Sequence, residues 1–457
     1  MKYYMCFVLL VGAGFSQWWS PAINLGIPGV DDINPQACRS QGLHTVMAWQ
    51  SFLGGDWEIF TRFYHNNSWS DTVRLTSNVI DDCFPCVAYD AGRNCFWCAW
   101  QKDTAGFWSI YVARGDSLNR WFTPVKISTA FDNERPSIHV IGSQVWVVWQ
   151  NNAAALVNLL SSYYNGSSWS TPVAVTNDSI FDNLLPRVGF HNNHPFVVWQ
   201  RNQDIYRSEY TGSAWPTPLP VTTDPAIDSL PELTNPSYMG SAGTMIFWQS
   251  DRNGDWDIYR TGADTFTVNL RATLNSADDV APSPLYAVGI TQRGLPPFAF
   301  STNRNGSNDI YSSDSVFVDT NYATDDLPVM TGGDWYVWTL WQSDRNGDWD
   351  IYGSRMYVGG AEEESADRNP GSLRIQPNPF RYRTTIYFSI EHSAKGGELN
   401  IYDATGRLVN SFALRNTPSA IRWSGTNRFG RAVPAGVYFA CLKTTGGVIR
   451  EKIIGLR

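Results

Sequence analysis

No run of basic residues occurs anywhere in the 457-residue chain, where 34 Lys and Arg face 42 Asp and Glu for a formal charge of -8. Phosphate backbones are held by clustered cations, so nucleic acid is excluded as an expected partner. Helical periodicity is weak throughout, and past the N-terminus no apolar run is long enough to cross a bilayer, so no transmembrane segment is expected. Histidine is scarce: His44, His65, His139, His191, His194 and His392 are the full set, no two at a recognisable metal-ligand spacing. Glutamate is nearly missing between residues 17 and 358, where Glu58, Glu134, Glu209 and Glu232 fall at different places in the pattern described next.

What is abundant is aromatic: 21 Trp, 21 Tyr and 23 Phe, enough for a large core. Much of it recurs. The stretch VWVVWQ, Val145 to Gln150, ends in a Trp-Gln pair that returns at Trp49/Gln50, Trp100/Gln101, Trp199/Gln200, Trp248/Gln249 and Trp341/Gln342, with Phe300/Ser301 as a degenerate member. Successive pairs stand roughly fifty residues apart, a period that signals a propeller or a solenoid. Each unit reads as four strands. Strand A follows a proline (Pro35, Pro85, Pro136, Pro186, Pro231, Pro282, Pro328), strand B is the apolar run, strand C carries D-I-Y, and strand D reads W-x-x-P. Strand B is apolar at both parities, so both its faces must be covered, as between neighbouring blades.

The seventh unit lacks a strand D after Tyr357, whereas Trp18 to Leu25 fits the strand D pattern and precedes the first strand A. The expected fold is therefore all-β: a seven-bladed β-propeller closed by an N-terminal outer strand, plus a small C-terminal immunoglobulin-like β-sandwich. The expected boundaries are a signal peptide over 1–16, the propeller over 17–358, a Gly-, Glu- and Pro-rich linker over 359–371 and the sandwich over 372–457. The signal peptide rests on Lys2, the apolar Tyr3 to Val11 and the small residues Gly12 to Ser16. Apart from Cys6 within it, the cysteines include a C-x2-C-x8-C-x2-C cluster of Cys83, Cys86, Cys95 and Cys98, with Cys38 and Cys441 elsewhere. Zinc, disulfides and free buried thiols are the alternatives, and the repeat places Cys86 opposite Cys98 in a hairpin turning near Gly92.

Acidic pairs or near-pairs precede the strand A prolines: Asp31-Asp32, Asp81-Asp82, Asp132-Asn133, Asp182-Asn183, Asp228-Ser229, Asp278-Asp279 and Asp325-Asp326. In a propeller they crowd one mouth of the ring. There they form either a ligand-binding or cation-attracting rim, or a set of turn-bracing side chains; the Gln ending strand B has the same two readings. The loop SDRNGDWDIY occurs at Ser250 to Tyr259 and Ser343 to Tyr352, with a weaker copy at Thr302 to Tyr311. Asp251, Asn253, Asp255 and Asp257, like Asp344, Asn346, Asp348 and Asp350, put oxygens on alternate residues, as the opening of a calcium-binding loop does, without its closing bidentate Glu. Calcium is thus a candidate cofactor, against a plain Asn-Gly hairpin. Trp57, Trp108, Trp256 and Trp349, between strands B and C, could stack on sugar rings.

The SDRNGDWDIY loop and the V-T that ends strand D resemble the WD-like repeat of TolB-like propellers, and the W-x-x-P strand after NGSSW is similar to sialidase-type repeats. The likeness covers about Trp18 to Val358 and implies the fold; no arginine cluster or Tyr-Glu pair of the sialidases is found, so it implies no catalytic residue. At the other end PNPF (Pro377 to Phe380), L-N-I-Y-D-x-x-G-R-L-V (Leu399 to Val409), W-x-G-x-N-x-x-G-x-x-V-P-A-G-V-Y (Trp423 to Tyr438) and REKIIGLR resemble the C-terminal sorting domain of type IX secretion cargo and the related FlgD-like immunoglobulin-like domain. That likeness implies export through the periplasm to the outside of the outer membrane, with the type IX secretion machinery as a partner. Two functions follow as expectations: a secreted or surface propeller that binds a glycan, peptide or surface protein at the acidic loop face, or a glycoside hydrolase or lyase on the same ring, which would want two carboxylates across a substrate.

Overall fold

The chain was analysed as a computed structural model, which describes residues 19–456 except 40–43, 66, 117, 154, 235–243, 263–267, 286–297, 314–316, 320–322, 334–335, 358–372, 377, 389–396, 404–406, 415–419 and 445–446. The expected signal peptide, Trp18 and the expected linker lie outside the described residues. All regular structure among the described residues is β, in two compact units, 1–360 and 361–457.

Unit one is built on the propeller plan. Seven antiparallel sheets are formed among the described residues, each running A-B-C-D from the innermost strand outward. In the third, strand A is Asn133–Ile141, B is Gln144–Asn151, C is Asn158–Tyr164 and D is the short Val173–Ala174. Each inner strand lies beside the inner strand of the next sheet, and that of the last, Asp325–Gly333, lies beside that of the first, Asp32–Arg39.

The two apolar parities of strand B serve two different neighbours. Val145, Val147 and Trp149 pack with Ala99 and Ile110 of the preceding sheet, and Trp146 and Val148 pack with Val188 and Trp199 of the following one. All five are essentially inaccessible. Burying such side chains is worth roughly 1.5–3 kcal/mol each, so these strands supply most of the cohesion between sheets.

Every strand A carries the same irregularity. The residue before its proline sits in the left-handed region (Asn34, Phe84, Arg135, Leu185, Leu230, Ala281 and Leu327, φ 50 to 55°), and the pairing with strand B slips there. A proline has no N–H to offer a ladder, so a bulge is where an inner strand can tolerate one. The left-handed turn aims one side chain per sheet toward a shared axial cavity.

The last sheet takes its outer strand from the N-terminus: Ile23 and Asn24 pair with Gly353 and Tyr352, and the Leu25 N–H donates to Ile351 O at 2.7 Å. Leu25 is buried, and Trp19 and Ala22 pack against the last sheet's core.

The second unit is a two-sheet sandwich. Strands Leu373–Gln376, Thr384–Phe388 and Ala420–Trp423 make one sheet, and Gly397–Asp403, Leu408–Leu414, Gly436–Thr444 and Gly447–Gly455 the other. Leu373–Gln376, at four residues, is too short to show alternation in the sequence. Trp423 and Tyr438 centre the core and meet edge to face; the indole donates to Thr426 O at 2.8 Å.

Candidate binding site

At the loop end of unit one the acidic pairs divide into two roles. One member opens strand A and is fully buried: Asp32, Asp82, Asp228, Asp279 and Asp325, with Asn133 and Asn183 in the same place. Indole N–H groups of strand B donate to Asp82 (Trp100, 2.6 Å), Asn133 (Trp149, 2.8 Å), Asn183 (Trp199, 2.8 Å) and Asp228 (Trp248, 3.1 Å). Asp32 accepts from the Ser51 hydroxyl and the Ile27 N–H, yet burial pushes its carboxyl up to about 7. Desolvation also raises Asp82, Asp228 and Asp325.

The other member faces outward and ties sheets together. Asp31, Asp81, Asp132 and Asp278 each accept a backbone N–H at the start of a strand C in the preceding sheet, from Trp349 (3.0 Å), Trp57 (2.8 Å), Trp108 (2.8 Å) and Trp256 (3.1 Å); Asp182 takes Val157 likewise at 2.7 Å. The four Trp rings are half-buried. The acids expected at one mouth and the Trp residues expected between strands B and C are thus joined through the Trp backbone.

The SDRNGDWDIY loops spend their oxygens internally. Asp251 accepts from the Ile227 N–H at 2.8 Å and Asp344 from the Thr324 N–H at 2.8 Å. The Asn253 amide donates to the Tyr259 hydroxyl at 2.5 Å, that of Asn346 to Asp350 at 2.9 Å and Tyr352 at 2.6 Å. Asp257 pairs with Arg271 at 2.7 Å and Asp255 lies 3.9 Å from the same guanidinium; Asp348, the counterpart of Asp255 in the second copy, is half-buried. Asp251, Asp257, Asp344 and Asp350 thus accept bonds within the protein, and among the described residues no three His, Cys, Asp or Glu side chains gather as a metal site.

The chemistry that sequence reading passed over is the loop arginine. Arg252 bonds Asp228 at 2.9 Å and stacks on Tyr259 at 4.2 Å; Arg304 does so with Asp279 (3.0 Å) and Tyr311 (4.3 Å), and Arg345 with Asp325 (3.0 Å) and Tyr352 (3.9 Å). The three copies share R-N-G, which carried this signal.

The strand B glutamines latch neighbouring sheets. Oε1 of Gln50, Gln101, Gln150, Gln249 and Gln342 accepts the N–H of the left-handed residue in the next inner strand at 2.8 to 3.0 Å: Phe84, Arg135, Leu185, Ala281 and Asn34. Where the repeat degenerates to Phe300/Ser301, Asp326 substitutes, accepting from the Ser301 hydroxyl at 3.0 Å and the Leu327 N–H at 2.8 Å. The Gln200 amide instead donates to Asn202 O at 3.3 Å.

The cysteine hairpin is out of the expected register. Cys86 pairs with Ala99 and Val87 with Cys98, because the turn takes residues 91–94 and the bulge falls between Cys83 and Cys86. That offset sends Cys86 and Cys98 to opposite faces of the sheet. Cys38, Cys83, Cys86, Cys95, Cys98 and Cys441 are all free thiols, and burial pushes Cys83 and Cys86 up to about 12 and Cys95 to about 11.

The axial cavity, about 270 Å³, is lined by the bulge residues and those just after each proline. Its charged lining residues are Arg135, Arg187 and Glu232. Arg187 Nε pairs with Glu232 across two sheets at 2.6 Å, and the Arg135 guanidinium lies 3.6 Å from the centre of the Phe84 ring. These were visible in sequence only as the residues flanking the strand A prolines.

Residues 381–447 match the FlgD Ig-like domain family. No curated protein matches the chain by sequence. Among solved structures, the chain is similar to a protein of unknown function from Dyadobacter fermentans (8% identity, TM-score 0.47, covering 74% of this chain and 99% of that one). It is also similar to PorZ of Porphyromonas gingivalis, described as a surface component of the type-IX secretion system (14%, TM-score 0.45, 95% and 61%), and to Trypanosoma rangeli sialidase (10%, TM-score 0.44, 93% and 84%).

Proposed function

We propose that the seven sheets are the blades of a closed propeller that acts outside the cell as a binding or scaffold protein, with the loop face as its docking surface. One observation carries this: Trp57, Trp108, Trp256 and Trp349 hold one equivalent position in four sheets, each with its backbone N–H held by an Asp of the neighbouring sheet, and each partly exposed. Partly exposed Trp residues on a fixed backbone are suited to stacking on sugar rings or peptide side chains. Binding of the purified full chain to a glycan array tests it. Retained glycans should be lost, with the fold intact by circular dichroism, when Trp57 and Trp108 are both changed to Ala; an array without a hit, or turnover of a bound polysaccharide, would replace this reading.

Export rests on the signal-like N-terminus and on the Ig-like domain, whose wording is shared with type IX sorting domains; the type IX secretion machinery is the partner that reading requires. The test is surface exposure in a type IX-competent host. Removal of 372–457 should leave the propeller in the periplasm.

A further inference from the structure

We propose that the axial cavity is a binding site for a small oxyanion, a carboxylate, phosphate or sulfate group, with Arg135 as its principal ligand. Two guanidiniums and one carboxylate line the cavity, and the carboxylate is committed: Glu232 is held by Arg187 at 2.6 Å. Arg135 is then an excess positive charge at the axis of a chain whose formal net charge is -8. No carboxylate lies within ion-pairing distance of its guanidinium among the described residues; the guanidinium sits over the Phe84 ring, 3.6 Å from its centre. Stacking covers one face of a guanidinium and leaves the in-plane N–H donors for a ligand, the arrangement in which Arg binds planar or tetrahedral oxyanions with two parallel hydrogen bonds.

The backbone is equally prepared. Arg135 occupies the left-handed bulge at φ 53°, and its N–H is fixed by Gln101 at 2.9 Å, so the side chain leaves an inner strand that cannot swing away from the axis. Arg135 keeps an exposed side chain at the cavity, where partial desolvation and the neighbouring Arg187 lower its guanidinium from the ordinary value against the opposing pull of Glu134 and Cys83. The volume, about 270 Å³, suits a group of small-ligand size rather than a folded partner.

This site is separate from the loop-face ligand and from export, and it can fail alone. Thermal unfolding and isothermal titration of the full chain would use sodium acetate, inorganic phosphate and sodium sulfate, each against sodium chloride at matched ionic strength. At least one oxyanion should raise the melting temperature by a degree or more and give a saturable heat. Which of the three it is assigns the group. Arg135→Gln should weaken that binding tenfold or more and Arg135→Lys less, while Asp182→Asn on the rim leaves it unchanged. No shift beyond chloride with any of the three, or a shift that survives in Arg135→Gln, would overturn the assignment. Circular dichroism of each variant, and the partial effect of the lysine, separate lost binding from lost fold.

Discussion

Asp32 is a carboxylate where two other sheets place an amide, Asn133 and Asn183, in the same buried position. Burial raises its carboxyl to about 7 in the folded chain, against about 4 for an unfolded aspartate. The folded state therefore binds the proton more tightly, and stability falls as pH rises between about 4 and 7. Asp32→Asn should raise the melting temperature at pH 8, by roughly 1–4 kcal/mol in stability, and the gain should vanish at pH 4. A pH series of thermal melts reads this directly. Arg252 poses the opposite case: it neutralises Asp228, which is wholly buried. Arg252→Ala should cost about 3–5 kcal/mol by leaving that charge uncompensated. Arg252→Lys should recover only part, because an ammonium makes one contact and stacks poorly on Tyr259; urea denaturation of the three proteins would show the order. None of this was legible in the acidic pairs themselves, since side chains two residues apart in role look alike as letters.

At the scale of the element, the bulged inner strand and the Trp-Gln strand form one device. A left-handed residue before proline is strained by about 1–3 kcal/mol, and the neighbour's glutamine fixes it by accepting its N–H. Gln101→Ala should destabilise the chain by about 1–3 kcal/mol, the cost of an unsatisfied buried donor. Gln200→Ala should cost clearly less, because Gln200 bonds Asn202 and not the next inner strand. Equilibrium unfolding of the pair measures the latch itself. The Trp-Gln repeat was plain in sequence because each sheet needs the same wedge and latch. That Asp326 replaces a glutamine one sheet along could not be read, because the substitute sits in a different strand.

The whole ring depends on its seam, where chain ends distant in sequence meet. Among the ties that cross it are the pairing of Ile23 and Asn24 with Gly353 and Tyr352, Asp31 with the Trp349 N–H, and Gln342 with the Asn34 N–H. A Cβ on Gly353 would come within 2.8 Å of Leu25 Cδ1 and 2.9 Å of Leu340 Cδ2, both in the core. Gly353→Ala should therefore cost about 1–3 kcal/mol by overpacking. Adding Leu25→Ala should cost less than the sum of the two single changes, which a double-mutant cycle of melts would register. Deleting residues 19–25 should destabilise all of unit one, seen as an earlier cooperative transition rather than loss of one sheet.

The sequence alone determined the all-β class, the sheet-by-sheet repeat, the borrowed outer strand and the character of the C-terminal sandwich. These follow from periodicity and burial demand, which act locally and repeat. Tertiary structure alone decided which acids are buried, that Asp251 and Asp344 brace the backbone just before a strand A, that Cys86 and Cys98 sit on opposite faces, and that Arg135 stands at the axis. The reason is physical: periodicity says that a side chain faces inward, but whether its charge finds a partner depends on which distant strand is folded beside it.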